Sequence, residues 1–374
     1  MAARRQLGRV RRLVVKVGSG LVTSAATGAD VDRIETLAAE IAAVREGRQV
    51  VLVTSGAIVT GVARLGLGGR PRSIPEKQAA AAVGQSALMW QYDVAFKRHG
   101  LPIGQVLLTA QDLSDRPRYL NARNTLTTML RLGVLPVVNE NDTVAVEEIK
   151  VGDNDNLSAH VAALIDADLL VLLTDVDGLY TANPAEDPTA RKLDRVDAIT
   201  DEIRQLVWGR RGALSVGGMA TKLEAAQKAT ASGVPMVIAS GSEKRVLARL
   251  LAGEPIGTYF APKADKLAAR KRWIAFAVPP AGRLLVDGGA RRALADEGKS
   301  LLPSGLVGVE GQFVAGDVVA VVDAGDGHEF ARGLVNFDAA DLGRIRGAKT
   351  REIEGRLGYR SFDEVIHRDN LVIV

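Results

Sequence analysis

A chain of 374 residues, 47% apolar and 25% charged, is long enough to build two hydrophobic cores. It holds no cysteine, which excludes a disulfide framework, a thiol nucleophile and a cysteine-ligated zinc. A net charge of +4 is small for a polyanion binder, and much of the excess sits early: Arg4, Arg5, Arg9, Arg11, Arg12 and Lys16 precede the first acid, Asp30.

The first apolar run, residues 13–17, predicts a strand that Lys16 interrupts. A lysine there is costly to bury unless an anion meets it. Gly18-Ser19-Gly20 follow, and glycines let backbone N–H groups approach phosphate oxygens. Neither the P-loop pattern nor the dinucleotide fingerprint is met here. No stretch of the chain approaches the ~20 apolar residues of a spanning helix, so a cytoplasmic protein without a membrane partner is expected.

A helix is predicted over 32–45 and a strand over 50–53. Thr54-Ser55-Gly56-Ala57 then opens a helix, which Ser55 can cap or whose N-terminal amides can receive an anionic substrate group. The serine-hydrolase pattern G-x-S-x-G is absent. Next come a helix over 76–98, a strand over 103–108, a helix over 119–131 and a strand over 134–138. The densest polar stretch follows: Asn139-Glu140-Asn141-Asp142, then Gly152-Asp153-Asn154-Asp155-Asn156. So many acids and amides beside a strand end point to ligand binding. A calcium loop is disfavoured, because no glutamate closes a twelve-residue span. An amino acid fits better: Asp142 can pair with an α-ammonium, and amides can bind its carboxylate.

A helix over 156–165 and a strand over 169–173 lead to Thr174-Asp175. Gly217-Gly218-Met219-Ala220-Thr221-Lys222 start a helix over 219–231, joining free N–H groups to a positive charge. A strand over 235–239 ends the alternation. Strands alternating with helices give an α/β fold, a mostly parallel sheet flanked by helices. Polar clusters stand after its strands, where ligands bind in such sheets.

Residues 253–272 suggest a linker or a last edge strand. Short strand-like pieces at 273–278, 283–286, 307–309, 318–322 and 330–335 predict a small β-rich barrel. The expected division is 1–262, a linker over 263–281, and 282–374. Basic and acidic side chains balance beyond residue 270, which argues against nucleic acid as a partner.

Lys16-Val17-Gly18-Ser19, Thr54-Ser55-Gly56-Ala57, 139–142, 152–156, Thr174-Asp175 and 217–222 together resemble the amino acid kinase family, in the family's order, over about residues 12–260. Segments 139–142 and 152–156 are the most specific. The tail, with Leu301-Leu302-Pro303 and Gly305, resembles a PUA domain.

The resemblance implies the amino acid kinase fold and transfer of the ATP γ-phosphoryl group to the γ-carboxylate of L-glutamate. The product, glutamyl 5-phosphate, would begin proline synthesis under proline feedback, with magnesium as cofactor and a homo-oligomeric enzyme. By motif, Lys16 and Lys222 neutralise the transferring phosphoryl, and Asp155 orients them. Ser55, Asn139, Asp142 and Asn154 hold glutamate, and Asp153 helps with substrate or magnesium. Lys16, Gly18, Ser19, Thr174, Asp175, Val216, Gly217, Gly218, Met219, Ala220, Thr221 and Lys222 hold ATP. No direct metal ligand is assigned. Val216 and Ala220 stand where members often carry hydroxyls, so backbone amides would serve there. Acetylglutamate, aspartate and uridylate kinases are the rivals within the superfamily, and the PUA-like tail argues against each.

Overall fold

The computed structural model describes residues 4, 6–24, 28–69, 71–145, 154–184, 186–208, 218–263, 274, 279–360 and 362–374. Gly152, Asp153, Val216, Gly217 and all but one residue of the strand expected at 273–278 lie outside them. The chain divides into two compact units, Met1–Ala264 and Asp265–Val374.

In the first unit eight strands form one sheet: β1 (Arg12–Val17), β2 (Gln49–Val53), β3 (Ile103–Leu108), β4 (Leu135–Glu140), β5 (Leu169–Thr174), β6 (Arg195–Val196), β7 (Met236–Ser240) and β8 (Thr258–Phe260). Their order is β3-β4-β2-β1-β5-β7-β8-β6. The six from β3 to β7 run parallel. β8 is antiparallel to β7 and carries β6 on its far side, so the strand foreseen within 253–272 is second from the edge. β4 runs two residues further than its apolar run, because Asn139 and Glu140 continue the ladder opposite Leu107 and Leu108.

Six helices position the site: α1 (Val31–Val44), α2 (Ala57–Leu65), α3 (Ile74–Lys97), α4 (Arg116–Arg131), α5 (Asn154–Leu164) and α6 (Met219–Ala231). Apolar residues of α1 and α3 fill the core on one face of the sheet; those of α4, α5 and α6 fill the other. Such double cover explains the almost unbroken Val and Leu of the central strands. Ser73 and Glu76 form a capping box at the start of α3. α2 and α3 cross with their backbones in contact. A Cβ on Gly61 would stand 1.7 Å from Ala80 O, and one on Gly84 1.8 Å from Ala57 O. That approach brings the middle of α3 to the ends of β2 and β4.

In this sheet the chain passes from β1 to its neighbour β2, goes out to the edge at β3, fills the gap with β4, and then crosses to β5 on the other side of β1. The carboxyl ends of β1, β2 and β5 therefore border the crevice where ligands bind in open α/β sheets. Among the described residues no helix is long and apolar enough to cross a membrane.

The second unit holds a five-stranded sheet of β9 (Gly282–Val286), β10 (Leu306–Gly311), β11 (Val318–Asp323), β12 (Glu329–Leu334) and β13 (Leu371–Ile373), in the order β10-β9-β11-β12-β13. Leu284, Val319, Val321, Phe337, Leu342 and Ile345 belong to its core. β13, which apolar patterning did not single out, pairs antiparallel with β12.

Candidate active site

Alternation along β1 decides where its lysine points. Leu13, Val15 and Val17 enter the core with α1 and α3, while Val14 enters the core with α5 and α6. Lys16, two residues after Val14, leaves the strand on the side of α5 and α6. Those helices supply its partners. Asp155, second residue of α5, has one carboxylate oxygen 2.6 Å from Lys16 Nζ. The other is 3.3 Å from Nζ of Lys222, on the first turn of α6. Thr221 Oγ1 lies 2.8 Å from that second oxygen.

All three charged groups are buried: Asp155 is 1% exposed and each lysine 6%. Burial pulls the Lys16 pKa down, which Asp155 resists and Lys222 reinforces. Burial alone would raise the Asp155 carboxyl. The two ammonium groups outweigh it and hold the carboxyl below its ordinary value. Two cations and one anion meet in the triad, and Asp175 also acts on Lys16. Two buried ammonium groups side by side favour the arrival of an anion.

Next to the triad stands a relay of amides. Asn154 turns Nδ2 toward Thr54 O at 2.9 Å, Ser55 Oγ at 2.8 Å and Asn139 Oδ1 at 3.0 Å. A backbone carbonyl only accepts, so the atom facing Thr54 O has to be the nitrogen. Among the described residues Asn154 Oδ1 is then buried without a hydrogen-bond partner. The expected use of amides as donors to a substrate carboxylate does not suit Asn154, whose N–H groups are engaged. Its free oxygen suits an ammonium.

Ser55 does not cap α2. Gly56 takes the cap position in a left-handed conformation, at φ 109°, where a side chain would be strained. Ser55 Oγ is left to meet Asn154. Asn139 Oδ1 also accepts from Glu140 N at 2.9 Å, and Asn139 Nδ2 donates to Gln85 Oε1 at 2.7 Å. Thr54 Oγ1 is 2.7 Å from the hydroxyl of Tyr92, which is fully buried. Asp142, half-buried just past β4, has no cation paired with it among the described residues. Burial pushes its carboxyl up to about 6.

Other expected nucleotide residues collect at the same strand ends. Gly18 N–H is already given to Leu173 O at 3.2 Å, so this amide is not open to a phosphate; what Gly18 offers is the lack of a side chain. Ser19 begins a 3₁₀ turn, Ser19–Leu21. Thr174 Oγ1 donates to Asp175 Oδ1 at 2.8 Å. Gly218 caps α6 without any side-chain bond, leaving the first-turn N–H groups of Met219, Ala220 and Thr221 uncovered by a cap beside Lys222.

Gln85 and Tyr92, both on α3, went unnoticed in the sequence. Their signal was present: Ala81, Gln85, Leu88 and Tyr92 fall at helical spacing on one buried face. A glutamine within an apolar stripe needs a partner.

A model of the amino acid kinase family matches residues 11–240, and one of the PUA domain matches residues 282–357. The chain belongs to the amino acid kinase family, as an enzyme with an appended PUA domain. Its likeness within that family is to the glutamate 5-kinases. It is 53% identical to the glutamate 5-kinase of Moorella thermoacetica, over 98% of this chain and 97% of that one. With that of Syntrophotalea carbinolica it shares 52% identity over 98% of each chain. A solved UMP kinase from Bacillus anthracis aligns with a TM-score of 0.48 at 18% identity, covering 68% of this chain and 97% of the other.

Proposed function

We propose that the chain transfers the γ-phosphoryl group of ATP to the γ-carboxylate of L-glutamate, giving L-glutamyl 5-phosphate and ADP. The observation that carries this reading is the meeting of Lys16 and Lys222 on one buried carboxylate, Asp155. The names of its relatives support the choice of acceptor.

The γ-carboxylate of glutamate is ionised at pH 7 and needs no base before it attacks. A carboxylate oxygen bonds to the γ-phosphorus while the bond to the bridging oxygen breaks, and ADP leaves with that electron pair. What remains for the protein is positioning and charge stabilisation. Lys16 and Lys222 supply the positive charge, and Asp155 keeps two mutually repelling ammonium groups together.

Asp142 and Asn154 Oδ1 receive the α-ammonium, with Ser55 and Asn139 bracing Asn154. Asp153 belongs with these residues or with magnesium. Gly18, Ser19, Thr174, Asp175 and the segment 216–222 hold ATP, the uncapped start of α6 receiving phosphate oxygens. Among the described residues no group of three acidic or histidine side chains could hold a metal alone. Magnesium carried by the nucleotide's phosphates would offset part of their charge when bound.

Residues 1–262 form the catalytic domain in this reading, 263–281 a linker, and 282–374 the PUA-like domain. The product would enter proline synthesis, with proline as inhibitor of a cytoplasmic homo-oligomer. Hydroxylamine trapping tests the reaction. Purified protein with ATP, magnesium and glutamate should yield the acyl hydroxamate, and acetylglutamate or aspartate should yield little. No hydroxamate from glutamate would refute the proposal.

A further inference from the structure

We infer that Gln85 is a positioning residue: through Asn139 it fixes the amide orientation of Asn154, and so sets recognition of the substrate's ammonium group. The inference rests on the glutamate-binding reading above.

Backbone groups of known polarity determine every atom in the chain of contacts. Glu140 N–H donates to Asn139 at 2.9 Å, so the atom it meets is the oxygen. The other end of that amide is therefore Nδ2, and its partner 2.7 Å away has to accept, which identifies Gln85 Oε1. Thr54 O fixes Asn154 in the same way and leaves Asn154 Oδ1 without a partner among the described residues. One orientation accounts for every contact among the three amides.

Among the described residues the Gln85 side chain makes one hydrogen bond, the one to Asn139. It is 7% exposed, on a face of α3 otherwise made of Ala81, Leu88 and Tyr92. Packing would favour an apolar side chain there. Among the described residues its Nε2 is buried without a partner, so the bond to Asn139 is what the polar side chain contributes there. The geometry is prepared by the backbone. Gly84, beside it, lets α3 close onto Ala57, and Asn139 leaves β4 with the same parity as Val137, toward the core that α3 helps to form.

Without an acceptor at position 85, Asn139 Nδ2 is left buried and unpaired. Turning that amide over presents N–H to Asn154 Nδ2, donor against donor. Asn154 then keeps only Thr54 O and Ser55 Oγ as acceptors, and its oxygen is held less firmly at the ammonium position.

The test compares Gln85→Met, of similar shape but unable to accept, with Gln85→Glu, which keeps an accepting oxygen. Glutarate, lacking the α-ammonium, serves as a competitive inhibitor. Gln85→Met should raise the glutamate KM about tenfold, with kcat and the ATP KM within about threefold of wild type, in keeping with one lost hydrogen bond. Its glutarate Ki should stay unchanged. Gln85→Glu should remain within about threefold of wild type in every parameter. An unchanged glutamate KM in Gln85→Met overturns the inference. So does a parallel rise in glutamate KM and glutarate Ki, which marks general damage to the site. If Gln85→Met does not fold, Gln85→Glu decides alone, and a tenfold KM rise in it sinks the idea. Failure of the wild-type chain to phosphorylate glutamate removes the functional reading and this inference together; an active wild type with a normal Gln85→Met removes only the inference.

Discussion

Strand β1 carries a cation at each end, and the two ends differ instructively. At the amino end Arg12 Nε donates to Gln49 Oε1 at 2.9 Å, and its guanidinium also reaches Ile165 O. Asp168 accepts from the backbone N–H of both Arg11 and Arg12, at 2.9 Å each, and Arg123 pairs with Asp166 at 3.1 Å. Burial lowers the Arg12 pKa, and Asp166 and Asp168 oppose it. That end is rich in charge, partly open to water, and supplied with fixed protein partners. At the carboxyl end Lys16 is buried, its aspartate is shared with a second lysine, and Asp142 and Asn154 Oδ1 have no partner among the described residues. What separates a site from a structural charge cluster here is unmet valence under burial, not density of charge.

The largest expected effect lies at the carboxyl end. Lys16→Ala or Lys222→Ala should each lower kcat by about 10²–10³, as for loss of one transition-state donor. The hydroxamate assay reads it directly, and kcat within tenfold of wild type for either variant would break the comparison. Gly84→Ala should come next. Its new Cβ, 1.8 Å from Ala57 O, meets backbone that cannot swing aside. A stability loss of about 1–3 kcal/mol is expected, read as a lower denaturation midpoint, together with a higher glutamate KM as α3 withdraws.

Acidity sharpens the same contrast. With its carboxyl pushed up to about 6, Asp142 is ionised above that pH and protonated below it. Attraction for the α-ammonium is therefore present at pH 7 and lost as pH falls through 6. The glutamate KM should rise about tenfold between pH 7 and pH 5, following the ionised fraction. Asp142→Asn should show a KM that is raised and nearly flat over that range. Smallest of all, Arg12→Ala should leave kcat within about twofold and cost on the order of 1 kcal/mol of stability. Turnover as impaired as in Lys16→Ala would show that the amino end is not merely structural.

Much of this was legible in the chain. Runs of Val, Leu and Ile alternating with amphipathic stretches located the parallel strands β1, β2, β3, β4, β5 and β7 to within two residues at each end, because double-sided burial leaves a continuous apolar signature. The motif residues Lys16, Asp155 and Lys222 were also visible. The ladder on β4 extended into polar sequence because pairing with β3, not hydropathy, sets where a strand ends. Ser55 was ambiguous for a related reason: whether serine or glycine caps α2 depends on backbone angles that neither residue type dictates alone. Gln85 was missed because its partner, Asn139, is remote in sequence and meets it only when α3 packs beside β4.

The sequence by itself determined the fold class, the strands and the residue types needed to meet an anionic substrate, since these follow from local periodicity and chemistry. Tertiary structure alone decided that Lys16 and Lys222 share one carboxylate, and which atom of Asn154 stays free. Such facts depend on distances between segments remote along the chain. Those distances are set by strand order, side-chain parity and the close crossing at Gly61 and Gly84, none of which a linear pattern records.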